Sequence, residues 1–302
     1  MERVSRWPQA AHIGNPFCER EIPHTPMVEP VLRALLRGKI SLPEAARILR
    51  EGHLPGGALA RFDYRREERT GVPEVVLGEG KSLPALEDLV RELVRLEHPA
   101  IVSRLTETQL KALGRWGAPA ERFTLRPGAR MALINPLRFP KTLVGRTAAI
   151  LAAGTADVPV AEEARGFLEA LGARVAAEFD VGVAGLHRLF LALRRTARVR
   201  PQVYLVFAGR EGALATVVAG LVDRPVIGIP VSVGYGRGAR GEAALNAMLQ
   251  SCAPLAVVNI DAGIPAALVA AQILRQASPT GRGKPGNRAR PTRSRRRNAQ
   301  KG

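Results

Sequence analysis

The stretch TAAILAAGTADVPVAEEARGFLEALGARVAAEF, residues 147–179, decides the fold. Two short apolar runs, 147–152 and 174–179, predict buried strands, and Pro159–Leu171 between them predicts a helix that begins with a proline. Parallel neighbouring strands need a crossover of this length, and such crossovers are right-handed. The stretch therefore predicts one unit of a parallel α/β sheet.

The same alternation continues to residue 276. It predicts further strands at 202–207, 225–229 and 255–260, and further helices at 184–196, 212–222, 242–249 and 264–276. Five apolar strands that are each followed by a helix predict a three-layer α/β sandwich on a five-strand parallel, flavodoxin-like sheet. Ligands of such sheets bind outside the carboxyl ends of the strands, so we expect the site in the loops after residues 152, 207, 229 and 260.

A small α+β domain is predicted at 27–140, in front of the α/β domain at 145–277. Its expected helices are 27–36, 41–50 and 83–96, and its expected strands are 74–77, 100–103, 122–125 and 131–134. The segment NPLRFPKTLVG, residues 135–145, interrupts both patterns and places the domain boundary there.

Both ends of the 302-residue chain read as loose segments. Residues 278–302 carry nine Lys/Arg and no acid, half of the net charge of +18, and predict a disordered basic tail that can touch RNA nonspecifically. Residues 1–26 contain four prolines without helix or strand periodicity. No apolar run is long enough for a membrane span and no apolar leader is seen, so a cytoplasmic protein is expected.

Two nucleotide-binding motifs are excluded. The segment GEGKS at 78–82 resembles a P-loop, but Val75 stands where that motif requires its first glycine. No G-x-G-x-x-G opens a helix of the second domain, so the dinucleotide fingerprint is missing.

The loop after the first strand of the α/β domain suits a phosphate. Gly154 permits close backbone approach, Thr155 offers a hydroxyl, and the next helix presents unpaired amide groups. Asp157 is ambiguous, because it is typical of a helix N-cap but could also contact a ribose hydroxyl or a metal.

Two further loops carry candidate groups. After the third strand, Glu211 lies between Gly209 and Gly212 and is either a general acid/base, if partly buried, or a complement to the helix dipole. The glycine-rich segment 230–241 around Tyr235 is a ligand-covering loop or a plain linker.

Cys252 and Asp261 are candidates near the last strand. Cys252 is either a small buried hydrophobe or a nucleophile, and it is too far from Cys18 in sequence and context to suggest a disulfide framework. Asp261 is a hydroxyl or metal ligand, or a turn aspartate.

Taken together, these loops resemble the LarB family of nickel-pincer cofactor biosynthesis carboxylases. The resemblance rests on AAGTADVPVAEEA, DVGVAGLHRL, AGREGAL, SVGYG and the run from SCAP to VVNIDAG, with FDYRREERTGVPEVVLGEGK in the first domain. The second domain is also similar to the aminoimidazole ribonucleotide carboxylases of purine synthesis. In those enzymes a phosphate loop corresponds to Gly154–Asp157, and a histidine loop corresponds to 208–214, where this chain has Glu211 and no histidine.

The resemblance implies carboxylation of nicotinic acid adenine dinucleotide by CO2 at C5 of its nicotinate ring, with hydrolysis of the phosphoanhydride. The products would be pyridinium-3,5-biscarboxylic acid mononucleotide and AMP. Cys252, Glu211 and Asp157 are the implied catalytic residues. The implied substrate-binding residues are Gly154, Thr155, Gly209, Gly212, Ser232, Gly234, Tyr235, His187, Arg66 and Arg69.

The resemblance also implies Mg2+, held by Asp261 or Asp157, no organic cofactor, and a homo-oligomer, since the related carboxylases are octamers with sites at subunit contacts. Two alternatives remain open. One is a purine carboxylase or mutase. The other is a non-enzymatic RNA-binding protein, suggested by a pI of 11.3, although RNP, KH and zinc motifs are missing and only 4% of residues are aromatic.

Overall fold

The computed structural model describes residues 28–51, 62–63, 66, 70, 72–117, 119–234 and 236–277. The segments predicted as a loose extension and a basic tail lie outside these ranges, as does residue 27, the first of the predicted α+β domain. The helices are α1 Val28–Leu36, α2 Leu42–Glu51, α3 Leu83–Arg95, α4 Glu107–Gly114, α5 Val158–Ala170, α6 Leu186–Ala197, α7 Ala213–Ala219, α8 Glu242–Leu249 and α9 Gly263–Gln276. The strands are β1 Val75–Leu77, β2 Ala100–Ser103, β3 Phe123–Arg126, β4 Met131–Ile134, β5 Thr147–Ala152, β6 Arg174–Glu178, β7 Val203–Ala208, β8 Val226–Pro230 and β9 Leu255–Val257.

The first domain is built on a mixed four-strand sheet in the order β1-β2-β4-β3. Strands β1 and β2 are parallel, whereas β4 is antiparallel to both β2 and β3. Helix α3 begins after Ser82, whose hydroxyl accepts the Ala85 N–H, and it buries Leu86 and Leu93 against the sheet. The small α+β domain is confirmed.

The second domain has five parallel strands in the order β6-β5-β7-β8-β9. The continuous burial of β5, β7 and β8 is typical of strands that are covered on both faces. Helices α5 and α9 cover one face with the core around Phe167 and Phe207, and α6, α7 and α8 cover the other with the core around Leu189 and Leu214. The predicted three-layer sandwich with a flavodoxin-like strand order is therefore confirmed.

One hydrophobic core runs through both domains. Ile101 and Met131 of the first sheet belong to the same cluster of buried side chains as Ile150 and Phe167 of the second domain. Gly166 on α5 makes this approach possible, because a Cβ there would lie 2.5 Å from the Met131 sulfur. The first sheet is thus packed against α5 and is not merely tethered to it.

The predicted element bounds differ from the observed ones in a few places. Helix α4 was not expected; its first turn is fixed by a capping box between Thr106 and Gln109. The last strand ends at Val257, not at residue 260, and α6 begins at Leu186 after a 3-10 turn at Val183–Gly185. Among the described residues no helix has the length and apolar character needed to cross a membrane.

Candidate functional site

The carboxyl ends of the parallel strands surround an open cavity of about 590 Å³, here called the edge cavity. Its walls come from the loops after β5, β6, β7 and β8. The lining residues are Ala153, Gly154, Ala156, Asp157, Gly182, Val183, Ala184, Arg188, Ala208, Gly209, Arg210, Glu211, Ala213, Leu214, Val233 and Gly234. The predicted residues Gly154, Asp157, Gly209, Glu211 and Gly234 therefore meet in one place.

Asp157 holds two of these loops together. One carboxylate oxygen, Oδ2, accepts the Gly154 N–H at 2.8 Å, and the other, Oδ1, accepts the Gly209 N–H at 3.2 Å. Asp157 occupies the predicted N-cap position of α5, but its side chain makes no cap bond to that helix. Burial raises the pKa of Asp157, and the nearby Asp261 carboxylate raises it further. The side chain positions the β5 and β7 loops against each other.

The phosphate-loop prediction is only partly matched by the geometry. The Gly154 N–H is engaged by Asp157, and Thr155 is exposed at the turn that precedes α5 without lining the edge cavity. Ala156, between Thr155 and Asp157, lies on the cavity wall.

The loop after β7 is shaped by close backbone approach. A Cβ on Gly209 would lie 2.4 Å from the Val233 carbonyl oxygen, and one on Gly212 would lie 2.8 Å from the Ala244 carbonyl oxygen. Gly212 has a φ of 66°, and Arg210 adopts a φ of 50°, a conformation that is uncommon for a side-chain-bearing residue. The loop thereby turns Glu211 onto the cavity wall.

Glu211 is exposed in the single chain. Its carboxylate lies 3.8 Å from Arg210 Nε, and 63% of its side chain is accessible to water. The partial burial expected of a general base is therefore not provided by this chain alone.

A cation that the sequence reasoning missed lines the same cavity. Arg188 on α6 pairs with Asp180 and faces the edge cavity, whereas the neighbouring predicted residue His187 is exposed and lines neither cavity described here. The segment DVGVAGLHRL contains both side chains, and only the position of α6 shows that the arginine and not the histidine lines the cavity.

A second cavity, of about 330 Å³, lies where the two domains meet and is here called the interdomain cavity. It is lined by Glu79, Arg104, Ala129, Arg130, Ala156, Pro159, Val160, Glu163, Val231, Ser232, Val233 and Asp261. Ala156 and Val233 belong to both cavities, which therefore adjoin. Of the predicted residues, Ser232 and Asp261 lie here, and Asp261 Oδ1 accepts the Ser232 N–H at 2.9 Å.

Cys252 lies at the opposite edge of the sheet. It precedes β9 by three residues, and β9 begins beside Val226, the first residue of β8, so Cys252 is near the amino ends of the strands. The five residues of β8 span about 16 Å at about 3.3 Å per residue, so Cys252 and the edge cavity are separated by about the length of a strand. The thiol is exposed, so the buried-hydrophobe interpretation is wrong.

Two of the remaining predicted residues, Arg66 and Gly212, line neither cavity. Arg66 lies close to Glu74 in the first domain and lines neither cavity, whereas Arg69 and Tyr235 lie outside the described residues. Gly212 supports the β7 loop from behind without lining the edge cavity.

The predicted metal ligands do not form a protein-built Mg2+ site. Both Asp157 oxygens and one Asp261 oxygen accept backbone N–H bonds, and within the described ranges no three His, Cys, Asp or Glu residues are placed to hold a metal. No step below is routed through a metal ion.

In the comparison with known proteins, each of the two domains matches a different family profile. The family profile described as AIR carboxylase matches residues 147–287, and the profile described as LarB/PurE-like N-terminal domain matches residues 56–136. The fold and the edge loops thus define an α/β enzyme of the AIR carboxylase class.

Three known proteins are similar to this chain, one over most of its length and two over less than half of it. A protein of Methanocaldococcus jannaschii described as uncharacterized is 36% identical over 249 residues, which cover 81% of this chain and 96% of that protein. The N5-carboxyaminoimidazole ribonucleotide mutase of the same organism is 32% identical over 131 residues, 41% of this chain and 76% of the mutase. A probable mutase of Methanothermobacter thermautotrophicus is 34% identical over 147 residues, 47% of this chain and 40% of that protein.

The chain belongs to the LarB/PurE-like family, as the two matched domains together and the full-length relative show.

Proposed function

We propose that this enzyme carboxylates nicotinic acid adenine dinucleotide at C5 of the nicotinate ring and hydrolyses its phosphoanhydride. The products are pyridinium-3,5-biscarboxylic acid mononucleotide and AMP, and the reaction is the first step of nickel-pincer nucleotide synthesis. The observation that carries the proposal is the presence of a LarB/PurE-like N-terminal domain on the same chain as the AIR carboxylase domain. Glu211 supports it, because it occupies the loop where purine carboxylases use a histidine.

The chemistry needs a nucleophile and a base. A pyridinium ring is electron-poor, so its C5 cannot attack CO2 directly. Addition of the Cys252 thiolate at C6 breaks the aromatic system and makes C5 enamine-like, and C5 then forms the bond to CO2. Glu211 takes the C5 proton, the C6–S bond breaks, and the thiolate leaves as the ring regains aromaticity. A water molecule is consumed separately when the phosphoanhydride is cleaved to release AMP.

A second copy of the chain must supply the thiol under this proposal. Glu211 lines the edge cavity at the carboxyl ends of the strands, whereas Cys252 is exposed at their amino ends, about a strand length of roughly 16 Å away. No side-chain motion closes such a gap. A contact that places the amino edge of one copy on the carboxyl edge of another brings the two groups together.

Exposed apolar side chains are present at both edges. At the amino edge, Leu249 is 63% exposed and precedes Cys252 by three residues, and the exposed Leu221 lies in the segment that leads into β8. At the carboxyl edge, the exposed Val233 lines the edge cavity, and Leu186 and Phe190 are exposed on α6, the helix that carries Arg188. Two different patches that bury each other form a head-to-tail contact, and such contacts close into rings when the rotation permits. This pairing supports the proposed homo-oligomer.

The remaining residues of the edge cavity fit the nicotinate half of the substrate. Its walls are largely apolar, as a planar ring requires, and Arg188 provides a cation for the ring carboxylate or the adjoining phosphate. Asp157 keeps the Gly209 loop in place, so its proposed part is to position the loop that carries Glu211.

The test is product analysis by mass spectrometry. The full chain is incubated with nicotinic acid adenine dinucleotide and bicarbonate, with and without Mg2+. We expect AMP and the dicarboxylated mononucleotide in equal amounts. If neither appears under either condition, the proposal is wrong.

The second candidate is a purine carboxylase or mutase, which the 32% identity to an N5-carboxyaminoimidazole ribonucleotide mutase favours. The same preparation is therefore given N5-carboxyaminoimidazole ribonucleotide. Its conversion, without any turnover of the dinucleotide, would establish the second candidate in place of the first.

A further inference from the structure

The interdomain cavity is a built site. Arg104 follows β2 and Arg130 precedes β4, so both arginines are supplied by the first domain, outside the region matched as AIR carboxylase. On the other side, Glu163 comes from α5 and Asp261 from the turn before α9. The cavity therefore exists only where the first domain is added to the carboxylase fold.

Its arginines are held before any ligand arrives. Arg104 Nη2 donates to the Asp261 carbonyl oxygen at 2.5 Å and ties the first domain to the loop after β9. Arg130 Nε donates to the Leu105 carbonyl oxygen at 2.8 Å, and the Leu105 N–H donates to the Arg130 carbonyl oxygen, also at 2.8 Å. Arg104 Nη1 also lies 3.5 Å from the Glu79 carboxylate, which is largely exposed. A guanidinium that is already held in place, as Arg130 is through Nε, can offer its other N–H donors to a ligand at little further cost in entropy.

Backbone strain is concentrated around the cavity. Arg104, Arg130 and Asp261 have φ values of 53°, 48° and 54°, and they account for three of the nine positive-φ non-glycine residues in the described ranges. Residues that carry side chains avoid this region, and where they occupy it they cluster at functional sites. All three of these strained residues line the interdomain cavity.

The charges select the class of ligand. The cavity is lined by two cations, Arg104 and Arg130, and by three carboxylates, which belong to Glu79, Glu163 and Asp261. An anion that has no hydrogen-bond donors therefore gains little binding free energy there. Glu163 is buried against the Ser103 hydroxyl, and burial raises its pKa. A ligand that offers both phosphate oxygens to the arginines and hydroxyl donors to the carboxylates satisfies both sets. A nucleoside monophosphate has this combination.

We infer that the interdomain cavity binds the adenylate half of the dinucleotide while the edge cavity holds the nicotinate half, an inference that rests on the proposed function. Because Ala156 and Val233 line both cavities, the pyrophosphate crosses at these two residues. The first domain thus converts a mononucleotide fold into one that takes a dinucleotide, and the interdomain cavity holds the AMP that is released. Its volume of about 330 Å³ lies within the usual range for small-molecule sites, about 300–1,000 Å³.

The test compares two mononucleotides on the full chain by calorimetry. AMP probes the interdomain cavity and nicotinic acid mononucleotide probes the edge cavity. In Arg130→Gln the residue still carries a Cβ, so the cost of the positive φ at this position is unchanged and only the cation is lost. We therefore expect the affinity for AMP to fall about tenfold or more. The affinity for nicotinic acid mononucleotide should change less than twofold, and Arg130→Lys should restore part of the AMP affinity.

The matched control is Arg126→Gln. Arg126 makes an interdomain ion pair to Glu169 at 3.0 Å but lines neither cavity, so AMP affinity should stay at the wild-type value. The inference is overturned if AMP does not bind, if Arg130→Gln leaves AMP binding unchanged, or if it weakens both mononucleotides equally. AMP binding that depends on Arg130, without any carboxylated product, would instead count against the proposed reaction.

Discussion

The two edges of the parallel sheet are organised differently. At the carboxyl edge, Asp157 joins the Gly154 and Gly209 loops by two hydrogen bonds, and the edge cavity forms beside it. At the amino edge, Cys252 is an exposed thiol three residues after the exposed Leu249. The contrast shows that the proposed nucleophile and the proposed base, which stand in one family pattern in the sequence, lie at opposite edges of the sheet in one chain.

The strongest test of this contrast is Cys252→Ser. A hydroxyl is close in size to a thiol but is hardly ionised at neutral pH, so carboxylation should fall at least about a thousandfold. The melting temperature should stay at the wild-type value, because the side chain is exposed. Cys18→Ser is the matched control, and full activity is expected for it. Near-normal turnover of Cys252→Ser would remove the thiol from the mechanism.

Glu211→Gln tests the other edge. The amide keeps the size of the side chain but cannot take the C5 proton, so turnover should fall by about 10² to 10⁴. Substrate should still bind, and intact-protein mass spectrometry should show the carboxylated cysteinyl adduct. A weaker binding constant with normal turnover at saturation would make Glu211 a ligand clamp.

Mixing the two inactive variants tests whether the edges meet between copies. If Cys252 of one copy serves Glu211 of another, randomly mixed oligomers of Cys252→Ser and Glu211→Gln contain some sites with both wild-type groups. Activity should return to about a quarter of the wild-type value after the copies are exchanged. Each variant taken through the same exchange alone is the control. No recovery in oligomers shown by mass to be mixed would contradict a shared site.

The first domain should respond to acid through His98. Desolvation lowers the pKa of His98 to about 4, whereas the unfolded chain takes up this proton near pH 6.5. The free energy of unfolding should therefore fall as the pH drops from 6.5 to 4, by up to about 3 kcal/mol. Denaturant unfolding at several pH values measures this change. His98→Gln should remove that part of the loss, and His187→Gln, at an exposed position, should not.

Gly209→Ala should have the smallest effect. The added Cβ would meet the Val233 carbonyl oxygen at 2.4 Å, so the loop must shift, at a cost of about 1–3 kcal/mol in the free energy of unfolding. Because Glu211 lies two residues further along, we expect turnover to fall as well. Gly128→Ala is the control, since nothing lies within 4 Å of the position that its methyl group would take and no loss is expected.

The parallel sheet was predictable from sequence because its strands are short, apolar and regularly spaced. Strand β5 and helix α8 have the predicted bounds, and the loops after residues 152, 207 and 229 line the edge cavity at the carboxyl ends of the strands. Helix α4 was missed because its signal is a capping box at Thr106 and Gln109 with only eight residues of helix behind it.

The interdomain cavity could not be predicted from sequence. Arg104 and Arg130 are 26 positions apart and meet Asp261 only because the first sheet packs on α5. Their left-handed φ values have no sequence signature when the residue is an arginine. The position of Cys252 was missed for another reason: the family pattern identifies a residue type, whereas only the register of β9 against β8 shows which edge the residue occupies.

The core shared by the two domains has a consequence for cooperativity. Ile101 and Met131 are buried in the same cluster as Phe167, so neither domain can unfold without exposing apolar surface of the other. The pair should melt in one calorimetric transition, and a fragment limited to the AIR carboxylase region should aggregate through the bare face of α5. An insertion that loosens the segment between the domains would therefore lower the free energy of unfolding of both domains together, and would not merely change how the two domains are aligned.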